Sequence, residues 1–326
     1  MKWFIVLILL YTVFAKDFHF HDGKFRIMQV TDTHYGDYDT EDDSTTKLVE
    51  DLLELEKPDL VVITGDLVSG YKYNGTQGWY KHYWEKATKS YIKYGIPYAL
   101  VLGNHDSEGD LDRKQVMKLD ITNPMSVSQV SPEELPGGSN YYFPLYGSNN
   151  STKVEVMLWF FDSMYKYCGG IEGYGCVETE TVNWYYSKSK QIEKELGKKG
   201  ALAFMHIPPQ EMMTAWNEKH EVNSCSAANS GLVTAMLNRK DISGVFFGHD
   251  HRNNYDININ GLHLVYGLKT GFGAYDPLPW KERGVRMIEL QEGVSTYTSY
   301  LRTLSHKIII QENMHWTNGT QYHCNM

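Results

Sequence analysis

The sequence contains few cysteines, and none of them stands in the C-x-x-C spacing that is typical of structural zinc sites. They are even in number and lie in surroundings rich in polar residues, glycine and asparagine: Cys168, Cys176, Cys225 and Cys324. Such usage favours disulfide bonds and therefore an oxidising compartment. Three connectivities are possible. The short glycine-rich loop between Cys168 and Cys176 favours a bridge between these two, which leaves Cys225 to pair with Cys324.

The sequence also has no excess of positive charge. It holds 31 Lys and Arg residues against 40 Asp and Glu residues, a formal net charge of −9 at pH 7. This balance argues against general nucleic-acid binding, which needs a basic surface. It does not argue against a small phosphorylated substrate, because a pair of bound metal ions can supply positive charge locally.

Long apolar runs are missing as well, apart from one at the N-terminus. Residues 3–14 are apolar, follow Met1-Lys2 and end near a small-residue cleavage site at Ala15. The run is short for a membrane span, which takes ~20 residues. We therefore predict a signal peptide over residues 1–15 and a secreted or lumenal protein without a membrane span, with an uncleaved anchor as the alternative. Glycosylation sequons agree with that compartment and begin at Asn74, Asn149, Asn150 and Asn318.

No Pro- or Ser-rich linker, composition break or internal repeat divides the chain. We therefore predict one domain over residues 17–311 and a C-terminal tail over residues 312–326. Within the domain, apolar runs alternate with amphipathic segments, which predicts parallel strands joined by right-handed helical crossovers. From Ile257 to about Ile310 a turn-punctuated alternation predicts antiparallel strands. The predicted strands are 25–32, 60–65, 98–103, 154–161, 201–205 and 244–247, and the predicted helices are 43–57, 79–94 and 182–196.

Side chains suited to metal binding follow five of these strands. In chain order they are Asp32 and His34, then Asp66, then Asn104 with His105 and Asp106, then His206, then His249 and His251. The carboxyl ends of parallel strands meet at one edge of a sheet, where α/β proteins bind ligands. Each residue alone has an ordinary explanation as a helix cap, a turn residue or a core histidine. All five fragments at strand ends together predict a pair of metal ions.

The residue types fit zinc, iron or manganese, because imidazole and carboxylate suit these ions, and Asp66 is placed to bridge two of them. Glycines before Asp66, Asn104 and His249 allow sharp turns and close approach of the ligands. His249 and His251 are two residues apart. They share one face if the chain is extended there, and diverge toward different ions if it turns.

This order of fragments resembles the calcineurin-like metallophosphoesterases, whose pattern is D-x-H, G-D, G-N-H-D, a later His and G-H-x-H. Residues 103–113 and 247–251 are similar to a secreted branch related to purple acid phosphatases. The resemblance implies an α/β fold, a four-layer α/β/β/α sandwich of two mixed sheets flanked by helices. It departs from purple acid phosphatases proper at Ser69, where they have a tyrosine ligand, and at His34, where they have glycine, which implies a colourless ligand set.

The resemblance also implies a role for each residue. One ion takes Asp32, His34 and His251, the other takes Asn104, His206 and His249, and Asp66 bridges them. His105 contacts the phosphoryl oxygens or the leaving group as the catalytic residue, and Asp106 orients His105.

The function implied is a phosphatase that uses two divalent or trivalent ions and hydrolyses phosphate monoesters by attack of a hydroxide between them. Its substrate is a phosphorylated small molecule or a phosphoprotein. A phosphodiesterase acting on nucleotides or lipid headgroups, and a secreted protein that binds metals without turnover, are the alternatives. Two loops are candidates for contact with substrate: residues 165–176, otherwise a surface staple, and residues 271–275.

Overall fold

We describe a computed structural model of the chain over residues 17–214, 221–275 and 282–310. The predicted signal peptide and tail, together with Asn318 and Cys324, lie outside these residues, and the domain boundaries remain a prediction. The helices are α1 Asp39–Glu56, α2 Trp79–Tyr94, α3 Arg113–Asp120, α4 Thr179–Leu196 and α5 Leu232–Arg239. The strands are β1 Phe18–His19, β2 Lys24–Val30, β3 Leu60–Thr64, β4 Tyr98–Val101, β5 Tyr141–Tyr146, β6 Val154–Phe160, β7 Lys166–Cys168, β8 Ile171–Tyr174, β9 Gly200–Phe204, β10 Ile242–Phe247, β11 Asp256–Ile259, β12 Leu262–Tyr266, β13 Gly284–Gln291, β14 Tyr297–Thr303 and β15 Ile308–Ile309.

Two large mixed sheets are formed by these strands. Sheet A has seven strands in the order β1-β5-β6-β9-β10-β12-β11, and sheet B has six in the order β15-β14-β13-β2-β3-β4. Strands β2, β3 and β4 pair in parallel, as do β6, β9 and β10. The parallel blocks follow from the strand–helix alternation in the sequence, because a helical crossover returns the chain in the same direction.

Successive side chains of β6 point to opposite faces of sheet A, and this shows how the layers pack. Leu158 and Phe160 are buried in a core that includes the apolar residues of sheet B and of α1 and α2. Met157 and Trp159 point the other way, into a second core that includes residues of α4 and α5. The order is therefore helices, sheet B, sheet A, helices, which confirms the predicted α/β/β/α sandwich of two mixed sheets.

Several elements differ from the sequence-based expectation. Helix α1 begins at Asp39, four residues before the predicted start, because its acidic first turn suits a helix N-terminus. Helix α3, which begins with a capping box at Asp112, and strand β5 were not predicted. Strand β12 pairs in parallel with β10 and only its other edge is antiparallel, so the expectation of antiparallel strands after Ile257 was wrong at β12.

Strands β7 and β8 form a separate hairpin, closed by the disulfide Cys168–Cys176. This confirms the first predicted pair of cysteines. The second pair is untested, since Cys324 is not among the described residues. A search of the described helices for one with the length and apolarity of a membrane span found none.

Candidate metal centre

The strand ends of both sheets meet at the candidate site, and this corrects the expectation that all five fragments share the edge of one sheet. Asp32, Asp66 and Asn104 follow strands of sheet B, whereas His206 and His249 follow β9 and β10 of sheet A. Hydrogen bonds tie the two sheets together here: the Gln29 side chain donates to the Phe247 carbonyl at 3.1 Å, and His206 Nδ1 lies 2.7 Å from the Thr64 carbonyl oxygen.

The first group of possible ligands is Asp32, His34 and His251, all buried, with donor atoms within 4.8 Å of one another. His34 Nε2 lies 3.1 Å from His251 Nε2, and His251 Nε2 lies 3.5 Å from Asp32 Oδ1. The second group is Asp66, His206 and His249. His206 Nε2 lies 3.2 Å from Asp66 Oδ2.

Two further contacts complete this arrangement. Asn104 Oδ1 joins the second group, at 3.1 Å from His206 Nε2. Asp66 Oδ2 lies between the groups, at 3.2 Å from His206 Nε2 and 3.8 Å from His34 Nε2. The structure therefore brings together all seven predicted ligands. His249 and His251 diverge into different groups, because β10 ends at Phe247 and the chain turns after it.

The hydrogen bonding shows that these residues fit a bound cation. His206 donates its Nδ1 proton to the Thr64 carbonyl, so whenever the ring is neutral its Nε2 presents a lone pair to two further acceptors, Asp66 Oδ2 and Asn104 Oδ1. Three acceptors that face one another need a shared cation or a proton. Among the described residues, buried His249 Nε2 has no hydrogen-bond partner. An unpaired buried polar atom is costly unless it has a ligand.

The electrostatics of the group favour positive charge in the same place. Burial opposes protonation of His206, but the Asp66 carboxylate outweighs it and raises the pKa of His206 to about 9. Burial likewise works against the charge on Asp66, and His206 nevertheless holds the pKa of that carboxyl well below its usual range. For His249, burial and the nearby His206 lower the pKa to about 3, so this imidazole is neutral and can offer a lone pair to a metal ion.

Four of the possible ligands have a strained backbone. Asp32, His34, Asp66 and His249 have φ of 51°, 53°, 50° and 79°. Left-handed conformations cost non-glycine residues about 1–3 kcal/mol each and cluster at functional sites. Backbone hydrogen bonds between the two loops hold them there: Asp32 N donates to the Gly65 carbonyl at 3.1 Å, and His34 N donates to the Asp66 carbonyl at 3.0 Å.

Two of the flanking glycines allow close approach. A Cβ on Gly103 would lie 2.1 Å from Asp66 Oδ1, and one on Gly248 would lie 2.5 Å from Asp32 Oδ2. Any side chain at either position would push a carboxylate out of the site.

Ser69 contacts one of the possible ligands, His34, through two hydrogen bonds. Its hydroxyl donates to the His34 carbonyl at 3.1 Å, and its Oγ lies 3.2 Å from His34 Nδ1. Since that hydroxyl proton is already used, Ser69 Oγ accepts from His34 Nδ1, and Nε2 is the nitrogen left for an ion. Ser69 thus orients His34.

His105 lies beside the two groups without belonging to either, with 30% of its side chain exposed to the cleft. Its Nδ1 is 2.5 Å from Glu108 Oε2. The Asp106 carboxylate has no hydrogen bond with the ring and instead accepts hydrogen bonds from the backbone of Gly103 and Val68. The expectation that Asp106 orients His105 was therefore wrong, because the short 3-10 helix His105–Ser107 turns Asp106 inward and places Glu108 beside the ring.

Glu108 is expected to act as a positioning residue for His105. If the protein has the phosphatase activity that the sequence resemblance implies, replacing Glu108 with alanine should slow hydrolysis of an alkyl phosphate about tenfold or more and leave p-nitrophenyl phosphate nearly unaffected, because only a poor leaving group needs a well-aimed proton donor. Glu108→Gln keeps an acceptor for Nδ1 but loses the charge that helps to raise the pKa of His105, so it should restore the alkyl phosphate rate only in part. Steady-state kcat for both substrates tests this, and an equal loss for the two would assign Glu108 a structural role only.

A cleft of about 380 Å³ opens over the site, and its lining includes His34, His105, His249 and His251. Both candidate loops reach it. The disulfide hairpin contributes Tyr174, and the segment after β12 contributes Ala274 and Tyr275. The remaining lining residues are Asp37, Tyr38, Asp66, Tyr71, Lys72, Ser224 and Asp250.

Sequence reasoning missed two residues of this site. Glu108 is three residues beyond His105, a spacing that predicts contact only if the segment is helical. Lys269 is buried, and its amine lies 3.3 Å from the Asp32 carbonyl oxygen. Burial lowers the pKa of Lys269 to about 7. No local signal distinguishes it from a surface lysine, since its burial depends on the packing of the loop after β12.

The family model described as calcineurin-like phosphoesterase matches residues 25–253. Similar proteins include "Probable inactive purple acid phosphatase 29" of Arabidopsis thaliana, 30% identical over 80% of this chain and 76% of that protein. "Phosphatase DCR2" of Saccharomyces cerevisiae is 32% identical over 82% of this chain and 52% of that protein. Among solved structures, a dimetal phosphatase from Danio rerio shares the fold, with a TM-score of 0.61, 12% identity and coverage of 89% of this chain and 98% of that one.

Proposed function

Because the chain belongs to the calcineurin-like phosphoesterase family, we propose that it is an active phosphatase that hydrolyses phosphate monoesters with two metal ions. The observation that carries the proposal is the convergence of seven donor residues in two adjoining groups, with Asp66 between them. When bound, two such ions supply a water nucleophile of lowered pKa and positive charge for the phosphoryl oxygens. Zinc, iron or manganese suits this donor set.

The chain's own residues complete the chemistry. His105 uses Nδ1 toward Glu108, which leaves Nε2 for the phosphoryl or leaving oxygen. Burial opposes a charge on His105, but Asp66 and Glu108 outweigh it and raise the pKa of His105, which favours the protonated ring that can donate to a leaving oxygen. Asp66 Oδ1 accepts from the His105 backbone N–H at 2.9 Å, which fixes the loop that carries the ring.

The rival function is metal binding without turnover, and the Arabidopsis relative bears the word "inactive" in its name. In this chain every donor of both groups is in place and His105 stands beside them with its own partner. A protein that only bound metal would have no use for an exposed histidine held by a carboxylate at the mouth of the site. This supports an active enzyme.

We also propose that the protein is secreted or lumenal and glycosylated. The apolar run of residues 3–14 supports export. The disulfide Cys168–Cys176 fits an oxidising compartment, and Asn74, Asn149 and Asn150 are exposed, as glycan acceptors must be.

Metal removal tests the central proposal. The purified protein should contain two metal ions per chain by elemental analysis and hydrolyse p-nitrophenyl phosphate. Dialysis against a chelator should abolish the activity, and addition of zinc, iron or manganese should restore it. Two ions without turnover of either the monoester or bis(p-nitrophenyl) phosphate would favour the binding protein, and turnover of the diester alone would make it a phosphodiesterase.

A further inference from the structure

Four tyrosines among the described residues line the cleft, and three of them, from three separate segments of the chain, pack against its histidines; we call Tyr71, Tyr174 and Tyr275 the tyrosine rim. Each packs against a different histidine of the site. The Tyr71 ring centre lies 4.8 Å from that of His105.

The other two rings contact possible ligands. Tyr174 meets His249 edge-on at 4.4 Å, and Tyr275 stacks on His251 at 4.2 Å with an interplanar angle of 16°. The rim therefore contacts His105 and one histidine from each of the two donor groups.

The rim is open to solvent, although its members are large aromatic residues. Tyr71, Tyr174 and Tyr275 are 41%, 43% and 46% exposed. Hydrogen bonds position two of the three. The Tyr275 hydroxyl contacts Glu221 at 2.9 Å, and the Tyr174 carbonyl accepts from the Ala227 backbone N–H at 2.9 Å. Fixed aromatic surface that faces a cleft is available for a ligand at little further cost in side-chain entropy.

Charge around the rim limits what else the ligand carries. Lys72 is the one Lys or Arg among the described residues that line the cleft, and its amine lies 3.0 Å from Asp37 Oδ1. The same amine stands over the rings of Tyr38 and Tyr71, at 4.8 and 5.6 Å from their centres. A second phosphate on the substrate would meet no unpaired Lys or Arg among the described lining residues of the cleft, whereas a single phosphate would bind at the metal centre.

From these contacts, and resting on the proposed phosphatase function, we infer that the tyrosine rim selects monoesters whose phosphate is attached directly to an aromatic ring, as on a phosphorylated tyrosine side chain. Tyr71 lies within 5 Å of the histidine that faces the leaving group. A ring on the ester oxygen therefore meets aromatic surface at once. A nucleobase is separated from its phosphate by a sugar and would extend beyond this surface.

A binding experiment tests the inference without requiring turnover. The metal-loaded protein is titrated calorimetrically with phenylphosphonate and with ethylphosphonate, neither of which can be hydrolysed at an ester bond. We expect at least tenfold tighter binding of the phenyl compound, and a loss of about three- to tenfold of that preference in Tyr71→Leu and in Tyr174→Leu. Tyr167→Leu is the matched control, since Tyr167 is 51% exposed on the same hairpin but does not line the cleft.

Kinetics then separate this inference from the proposed function. In an active enzyme, kcat/KM for phenyl phosphate should fall several-fold more than that for ethyl phosphate in the rim variants, a comparison that cancels the difference in leaving group, and neither value should change in Tyr167→Leu. Equal affinity for both phosphonates, equal losses for both esters, or a larger loss for adenosine monophosphate than for phenyl phosphate would overturn the inference. Preferential binding of phenylphosphonate with no hydrolysis of any ester would support the rim and refute the phosphatase.

Discussion

Replacing Asp66 with alanine is expected to remove both metal ions from the purified protein and with them all measurable activity. Asp66 is the one residue of the described site whose carboxylate oxygen approaches donors of both groups, at 3.2 Å from His206 Nε2 and 3.8 Å from His34 Nε2. It is also 1% exposed, so water cannot easily replace it. Elemental analysis after gel filtration, with a limit well below one ion per chain, is the measurement.

Two companion variants separate loss of the ligand from loss of the fold. Asp66→Asn tolerates the φ of 50° better than alanine and removes only the charge, so metal loss in both variants would exclude backbone strain as the cause. Asp241→Ala removes a carboxylate just before β10, at the far end of the strand, where it is held by Tyr185 and Ser189, and it should retain both ions. Two ions per chain in Asp66→Ala would contradict a bridging role.

His105→Ala is expected to give the opposite result: full metal content and a kcat lowered by about 10²–10⁴. The imidazole lies outside both donor groups, and its Nδ1 is occupied by Glu108. Its removal therefore takes away the proton donor for the leaving oxygen and leaves the ligands in place. Metal analysis and steady-state rates on the same preparation are needed, since either alone would not separate binding from chemistry.

His263→Ala is the matched control for this variant. His263 is also partly exposed and paired with a carboxylate, Asp256 at 3.2 Å, but it is in β12 and does not line the cleft. It should have little effect on kcat. Activity of His105→Ala within a few-fold of the unaltered protein would refute a catalytic role, and loss of metal would make His105 a ligand.

Much of the candidate site was readable before the fold was known. Strands β2, β3 and β4 were predicted from their apolar runs, and the residues that follow them, Asp32, Asp66 and Asn104, were predicted to converge. Burial on both faces gives a strand a continuous apolar sequence, and parallel pairing brings the carboxyl ends together. Both features can be recognised within a short stretch of sequence, so their prediction does not require knowing which other segments pack against them.

The partners of these residues were not readable in the same way. Asp106 was expected to contact the His105 ring. The short 3-10 helix His105–Ser107 instead places Glu108 beside the ring. Residues 103–154 hold the unpredicted α3 and β5, because α3 is only 8 residues long and Pro144 lies inside β5, and both features weaken a prediction from local sequence. Tyr174 reaches the site only because the disulfide hairpin folds back over His249.

The sequence alone thus determined the parallel strands and the chemical types of the donors at their ends, since both are written in local patterns of hydrophobicity and residue identity. The tertiary structure alone decided that the donors come from two facing sheets, that His249 and His251 diverge, and that three tyrosines pack against the histidines of the cleft. These depend on how loops far apart in the chain pack against each other. Packing distances of a few ångströms follow from the whole assembly of layers, and no single segment contains them.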